Sequence, residues 1–474
     1  MANGQERALI ASSDALHQIF AARSVAVVGA SNNSGKLGYA LFDTIRRSGY
    51  EGVIYPVTLR DEQVQGMRAY RSLGAIPGPV DLALILVPAR RVPEVLREAA
   101  IEGTQVAVVL SAGYRESGLS EREDNLKRVA HECGVRILGP NMQGFAYLPN
   151  RLCAMFWPAL TVAGPLAVIG QSGSVTAALA EWASEDGLGI SAAVNLGTQI
   201  DLDVTDLLEF FVEDTATSAI ALHVEVVEEG HRFLDVARRV AQIKPLAILK
   251  SAHSEGDRRL AASHTGSRTG RDQLFDAASW QRGLVRAGDL QELYDFGKAL
   301  ATMRQPRGNR LLVVSTSGGG ATLVVDDAEI QGLVLPALPE IVVKELRGLG
   351  LPAEAGLANP LELPSLDATL FEQVIALVER HNVADTCLVS FGHPVPGSAT
   401  VIKRLARQVR GSIAVAFYGG GEVERAARVE LNGAGIPVYP TPERAVRAIA
   451  ALVRSGPPRS RPGATGALGD VVDK

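Results

Sequence analysis

Ser24-Val25-Ala26-Val27-Val28 runs into Gly29-Ala30-Ser31-Asn32-Asn33-Ser34-Gly35-Lys36 and then into a helix-length stretch, Tyr39 to Ser48. An apolar run without alternation belongs to a strand buried on both faces, the environment of a parallel sheet. The glycine-rich turn lies between strand and helix, so its backbone N–H groups and the helix dipole can hold a phosphate. Outward from this point the rhythm repeats, with strand runs at Val80 to Val87 and Val106 to Leu110 and a helical segment between them, Val92 to Glu102. The fold class is therefore α/β, and residues 1–152 read as a doubly wound domain.

The rhythm restarts at Leu166 to Ile169, which enters Gly170-Gln171-Ser172-Gly173-Ser174 and an alanine-rich helix, and continues through Ala219 to His223 and Leu246 to Leu249. This gives a second α/β domain over residues 160–302. Met303 to Asn309, containing Pro306 and Gly308, has linker composition. A third α/β domain, residues 309–455, opens with Arg310 to Val314 and the turn Ser315-Thr316-Ser317-Gly318-Gly319-Gly320. Residues 456–474, with Pro457, Pro458 and Pro462 among Ser, Gly and Arg, read as a disordered tail.

Composition narrows the function classes. The 474 residues are 47% hydrophobic and 21% charged, which is globular composition. Net charge is −5 and no run of Lys or Arg forms a basic stripe, so no nucleic acid is expected as a partner. Cys133, Cys153 and Cys387 are odd in number and far apart, giving neither a disulfide framework nor a metal knuckle, and they fit a reducing cytoplasm. No apolar stretch reaches the roughly 20 residues a membrane span needs, and no metal site is expected on this chain.

In open parallel sheets, ligands bind beyond the carboxyl ends of the strands. The candidate rim in the first domain is thus Gly29, Ala30, Ser31, Gly35 and Lys36, with Pro56 and Val57, Val87 and Pro88, Ser111, Ala112 and Gly113, and Asn141. The first turn departs from GxGxxG. Moreover Tyr55-Pro56-Val57-Thr58 lacks the acidic residue that holds the ribose of a nicotinamide dinucleotide, so a nucleotide-bearing ligand is expected and NAD is not.

The second domain contributes Ser263-His264-Thr265-Gly266-Ser267. A neutral imidazole is a good nucleophile near pH 7, and the hydroxyls of Ser263 and Thr265 and the backbone at Gly266 can hold a phosphate attached to it. The bland alternative for His264 is a solvated loop residue. Gln171, Ser172, Gly173 and Ser174, opening a helix, offer N–H donors and the positive dipole end to such a phosphate. Glu225, which ends the strand Ile220 to Val224, can hydrogen-bond the second ring nitrogen and set the tautomer. It can equally be a surface glutamate beside Glu228 and Glu229. The other histidines have no comparable setting.

Taken together, Ser24 to Ser31, Ser263 to Ser267, and Gly435-Ile436-Pro437-Val438-Tyr439-Pro440-Thr441-Pro442-Glu443-Arg444-Ala445 resemble the α subunit of the nucleoside-diphosphate-forming acyl-CoA synthetases. This family includes the ADP-forming acetate–CoA ligases and is related to succinyl-CoA synthetase; the resemblance covers about residues 15–454. It implies a CoA-binding Rossmann-like domain followed by two flavodoxin-like, succinyl-CoA synthetase-like domains. It also implies that His264 is the phosphorylated histidine, that Glu225 assists it, and that the helix after Gln171 holds the phosphate. The implied activity joins a small carboxylic acid to CoA while ATP becomes ADP and phosphate, by way of an acyl phosphate.

ATP, ADP and Mg2+ would then be bound mainly by an ATP-grasp β subunit, in an αβ or α2β2 assembly, because no segment after Arg454 reads as such a module. A ligase with an amine as acyl acceptor and a non-catalytic CoA-binding regulatory protein are the competing readings. Two segments depart from the family pattern, at the acyl pocket or at the partner interface, and leave the identity of the acid open. Met142-Gln143-Gly144 stands where Cys-Leu-Gly is common, and Asn359-Pro360-Leu361-Glu362-Leu363 stands where Asn-Pro-Val-Asp is more usual.

Overall fold

The computed structural model describes residues 9–157, 160–227, 229–251 and 284–455. His264, with Ser263, Thr265 and Gly266, and the tail at 456–474 lie outside the described residues.

The first sheet contains β1 (Ser24–Val28), β2 (Val53–Val57), β3 (Leu82–Ile85), β4 (Val106–Val109) and β5 (Arg136–Leu138), all parallel, in the order β2-β1-β3-β4-β5. Around it lie α1 (Ser12–Phe20), α2 (Leu37–Arg47), α3 (Val92–Ile101) and α4 (Ser120–Cys133). Every residue of β1, β3 and β4 is buried, as continuous apolar runs require when helices cover both faces. In α3, Val92, Val95, Leu96 and Ala99 recur at helical spacing and are buried, and Pro93 occupies the first turn, where its missing N–H is harmless. From β1 the chain pairs β2 on one side and then β3 on the other, which puts the switch point of the sheet at the Gly29 turn.

The second sheet has strands β6 (Gly144–Tyr147), β7 (Leu152–Met155), β8 (Ala163–Gly170), β9 (Ile190–Asn195), β10 (Ala219–Val224), β11 (Leu246–Lys250) and β12 (Val285–Arg286), in the order β12-β11-β10-β8-β9-β6-β7. Its helices are α5 (Gly173–Glu185), α6 (Val204–Glu213), α7 (Gly230–Ile243) and α8 (Leu290–Thr302). The antiparallel hairpin β6–β7 pairs with β9, so the chain enters the second sheet at Gly144, inside the segment read from sequence as the first domain. A second switch point lies at the end of β8, where α5 begins.

The third sheet contains β13 (Leu311–Ser315), β14 (Gly356–Leu357), β15 (Leu361–Glu362), β16 (Thr386–Phe391), β17 (Ser412–Phe417) and β18 (Val438–Tyr439), in the order β14-β15-β13-β16-β17-β18. Its helices are α9 (Gly318–Gln331), α10 (Glu340–Arg347), α11 (Ala368–Arg380), α12 (Ser398–Gln408), α13 (Glu422–Gly433) and α14 (Pro442–Arg454). No helix among the described residues is long and apolar enough to cross a membrane.

Two junctions fix the units against one another. Phe20 of α1 packs on Phe145, Phe210 and Phe211 of the second unit at ring separations of 5.5, 4.8 and 5.6 Å, so the two cores are continuous. Beside it the loop after β9 runs along β5: Thr198 N donates to Pro140 O (2.8 Å), Ile200 N to Gly139 O (3.2 Å) and Leu202 N to Ile137 O (3.1 Å). The buried Arg136 guanidinium clamps Asp201 from the same loop at 2.8 and 3.0 Å. At the other junction, α8 packs against α14. There Lys298, 1% exposed, donates to Asp186 (3.1 Å) and Val438 O (2.7 Å), and Arg444 pairs with Asp295 at 2.7 and 2.8 Å.

Candidate active site

The two switch points face one another across a single cleft of ≈ 1750 Å³. Pockets for small ligands usually occupy about 300–1,000 Å³, so there is room for an extended one. On the first-domain side, Gly29 has φ +106°, and a Cβ there would lie 2.5 Å from Leu86 O, so only glycine permits this turn. Gly29 N donates to Val57 O, and Leu86 N to Val28 O, tying the turn to both neighbouring strands. The rim loops are tied as well: Ser111 Oγ donates to Val87 O (2.5 Å), and Asn141 N to Ser111 O (3.0 Å).

Gly29, Lys36, Val87, Pro88, Ser111, Ala112 and Asn141 therefore line the cleft together. Ala30, Ser31, Gly35, Pro56, Val57 and Gly113 are not among its lining residues. Their polar groups serve the scaffold instead. Ser31 Oγ accepts from Asn33 N, Gly35 N donates to Asn33 Oδ1, Pro56 O accepts from Tyr70 N and Val57 O from Gly29 N. The N–H of Gly113, a residue expected at the rim, and that of Tyr114 both donate to the carboxylate of Glu116, at 2.6 and 3.0 Å.

On the second-domain side the lining residues include Gln171, Ser172, Gly173, Ser174 and Glu225. Ser172 is the N-cap of α5 and makes no side-chain cap bond; its hydroxyl lies 3.2 Å from that of Ser174. First-turn N–H groups have no partner within a helix, so this end presents donors, two hydroxyls and the positive dipole end to the cleft. Gln171 has a different task from the one its sequence position suggests. Its Oε1 accepts from Glu225 N (2.5 Å) and Val226 N (2.8 Å), and its Nε2 donates to Val226 O (2.6 Å). The amide pins the loop after β10 and thereby places Glu225 at the cleft.

Asn195, at the end of β9, was not singled out in the sequence. It joins three segments, with Oδ1 accepting from Gln143 N (2.7 Å) and Nδ2 donating to Gly170 O (3.1 Å) and Gln171 O (2.9 Å). Arg232 also lines the cleft, its two ends held by Asp203 (2.9 Å) and Asp206 (2.8 Å), which form the capping box of α6. Lys127, Glu116, Asp201, Asp203 and Glu229 are further charged residues of the lining. Asn195 could have been found by extending the strand-end rule to every strand of the second sheet; Arg232 and Lys127 carry no such signal. His223 is buried behind the site, with Nε2 2.7 Å from Ser251 Oγ, and burial pushes its pKa down to about 4.

Comparison with known proteins gives a concordant result. A CoA binding domain model matches residues 23–148, and a succinyl-CoA ligase like flavodoxin domain model matches residues 163–300. Acetate–CoA ligase (ADP-forming) I subunit alpha of Pyrococcus furiosus is 37% identical over 453 residues, covering 93% of this chain and 97% of that protein. The chain belongs to the nucleoside-diphosphate-forming acyl-CoA synthetases. Within that family, acetate–CoA ligase (ADP-forming) I of Archaeoglobus fulgidus is 33% identical over 93% of this chain, which corresponds to 63% of that longer protein. A solved synthetase structure, the dinucleotide forming acetyl-coenzyme A synthetase 1 of Ca. Korarchaeum cryptofilum in complex with phosphate and ADP, superposes with a TM-score of 0.86. It is 33% identical, and the match covers 93% of this chain and 96% of that one.

Proposed function

We propose that this chain is the α-type subunit of a synthetase that joins a carboxylic acid to CoA, with ATP converted to ADP and phosphate through a phosphohistidine at His264. The observation that carries the reading is that the rim at Gly29, Pro88, Ser111 and Asn141 and the start of α5 open onto one cleft. A thiol carrier bound at the rim and a phosphoryl group held at the helix start can therefore meet there.

In this reading ATP phosphorylates His264 and ADP departs. The acid's carboxylate oxygen attacks phosphorus, the imidazole leaves, and an acyl phosphate results. The CoA sulfur then attacks the acyl carbon, the thioester forms, and inorganic phosphate is released. The α5 N–H groups with Ser172 and Ser174 hold the phosphoryl oxygens, joined by Ser263, Thr265 and Gly266. Glu225 accepts from the ring N–H remote from phosphorus, fixing the tautomer and raising nucleophilicity. The nucleotide and its Mg2+ belong to a partner subunit with an ATP-grasp fold, in an αβ or α2β2 assembly in the cytoplasm. That the relative from P. furiosus is named an α subunit supports a partner of this kind. The open rim supports CoA rather than an amine as acceptor.

Calorimetric titration tests the binding half of the proposal. CoA should bind and NAD should not, since β2 ends in Tyr55-Pro56-Val57 with no carboxylate for a ribose. Acyl-CoA synthesis should appear only when the partner is added. Tight NAD binding without CoA binding, or robust turnover by this chain alone, would overturn the reading.

A further inference from the structure

We propose that Gln143 selects the acid, favouring carboxylic acids that carry a hydroxyl on their chain; this deepens the reading above and rests on it. Gln143 lies between β5 and β6, and its backbone is fixed on both sides, N–H by Asn195 Oδ1 (2.7 Å) and carbonyl by Phe156 N (3.3 Å). The side chain is laid against the first residue of α5. A Cβ on Gly173 would come within 2.2 Å of Gln143 Cδ and 2.4 Å of Oε1. The amide thus sits beside the helix start that holds the phosphoryl group, where the acyl portion of an acyl phosphate has to lie.

Gln143 Oε1 is buried and has no hydrogen-bond partner. Folded proteins satisfy nearly all such groups, and leaving one unsatisfied carries a penalty equivalent to about 10- to 100-fold in an equilibrium constant. A ligand that donates to this oxygen recovers that factor. An ammonium is a poor donor here because the positive end of α5 is adjacent. A neutral hydroxyl on the acid's chain can donate to Oε1, while Met142 and Phe156 supply apolar wall for the carbon chain.

The test is thioester formation by the chain reconstituted with its partner, using butyrate against 3- and 4-hydroxybutyrate, for the wild type, Gln143→Leu and Gln143→Met. The wild type should favour a hydroxy acid in kcat/KM. Both variants should lower the hydroxy-to-plain ratio about 10- to 100-fold while retaining activity on butyrate. A purely structural role would lower both acids together and leave the ratio unchanged, which would overturn the proposal, as would a wild type that prefers butyrate. Absence of thioester from every acid with wild type would instead sink the synthetase reading itself, an outcome distinct from an unchanged ratio.

Discussion

Acidification from pH 7 to pH 5 should remove about 2 kcal/mol of stability through His223 alone. The ring is 3% exposed and its pKa is lowered from 6.5 to about 4 by burial. In the unfolded chain the imidazole binds a proton below about pH 6.5, whereas in the folded protein it does so only below about 4. Between those values the unfolded state carries more protons, so stability rises with pH, and it is lost as pH falls through this window. The full gap is worth on the order of 3 kcal/mol, of which about 2 has been lost by pH 5. His223→Gln removes the titration while keeping an amide able to reach Ser251. Urea unfolding of both proteins at the two pH values, followed by tryptophan fluorescence with Trp182 in α5 as a reporter, isolates this contribution, because every other titrating group is common to both. The wild type should lose about 2 kcal/mol more than the variant over that interval. Equal losses would mean that His223 titrates normally in the folded protein and that the burial argument is wrong.

Arg444→Leu should lower stability by about 3–5 kcal/mol, since it strips the paired charge from Asp295, whose side chain is 3% exposed at the junction of α8 and α14; thermal melting reads this directly. Gly197→Ala should cost about 1–3 kcal/mol, because the residue has φ +59° and a Cβ there would lie 2.1 Å from Pro140 O in the strap joining the first two units. A melting curve unchanged from wild type would refute the strap's contribution.

Much of the fold was legible because parallel strands buried on both faces leave uninterrupted apolar runs. Ser24–Val28 is read to the residue, and Ala219 to His223 to within one. Val80 to Val87 was read too long: the strand is Leu82–Ile85, because Asp81 turns its carboxylate to the N–H groups of Arg23 and Ser24, and Val87 already belongs to the rim. The β6–β7 hairpin escaped because four-residue strands before a second domain look like the end of the first.

In the site, the glycine turn, the helix start and Glu225 were visible as strand-end features. Sequence position could not tell a ligand-facing group from one already engaged. Gln171 stands where a phosphate donor is expected and Gly113 on the expected cofactor rim, yet the first holds the Glu225 loop and the second gives its N–H to Glu116. Arg232 reaches the cleft from a segment whose pattern announces nothing, and the buried Lys298 depends on partners more than a hundred residues away.

The central claim is the phosphoryl relay. Imidazole at position 264 must act first as nucleophile and then as leaving group, which no hydroxyl in Ser263-His264-Thr265-Gly266-Ser267 can do near neutral pH. The most direct measurement incubates the reconstituted enzyme with labelled ATP and follows label on this chain through acid and base treatment. The account predicts acid-labile, base-stable label on wild type, slowed labelling in Glu225→Gln, and neither label nor thioester in His264→Asn. Unlabelled wild type together with full thioester synthesis by His264→Asn would contradict it.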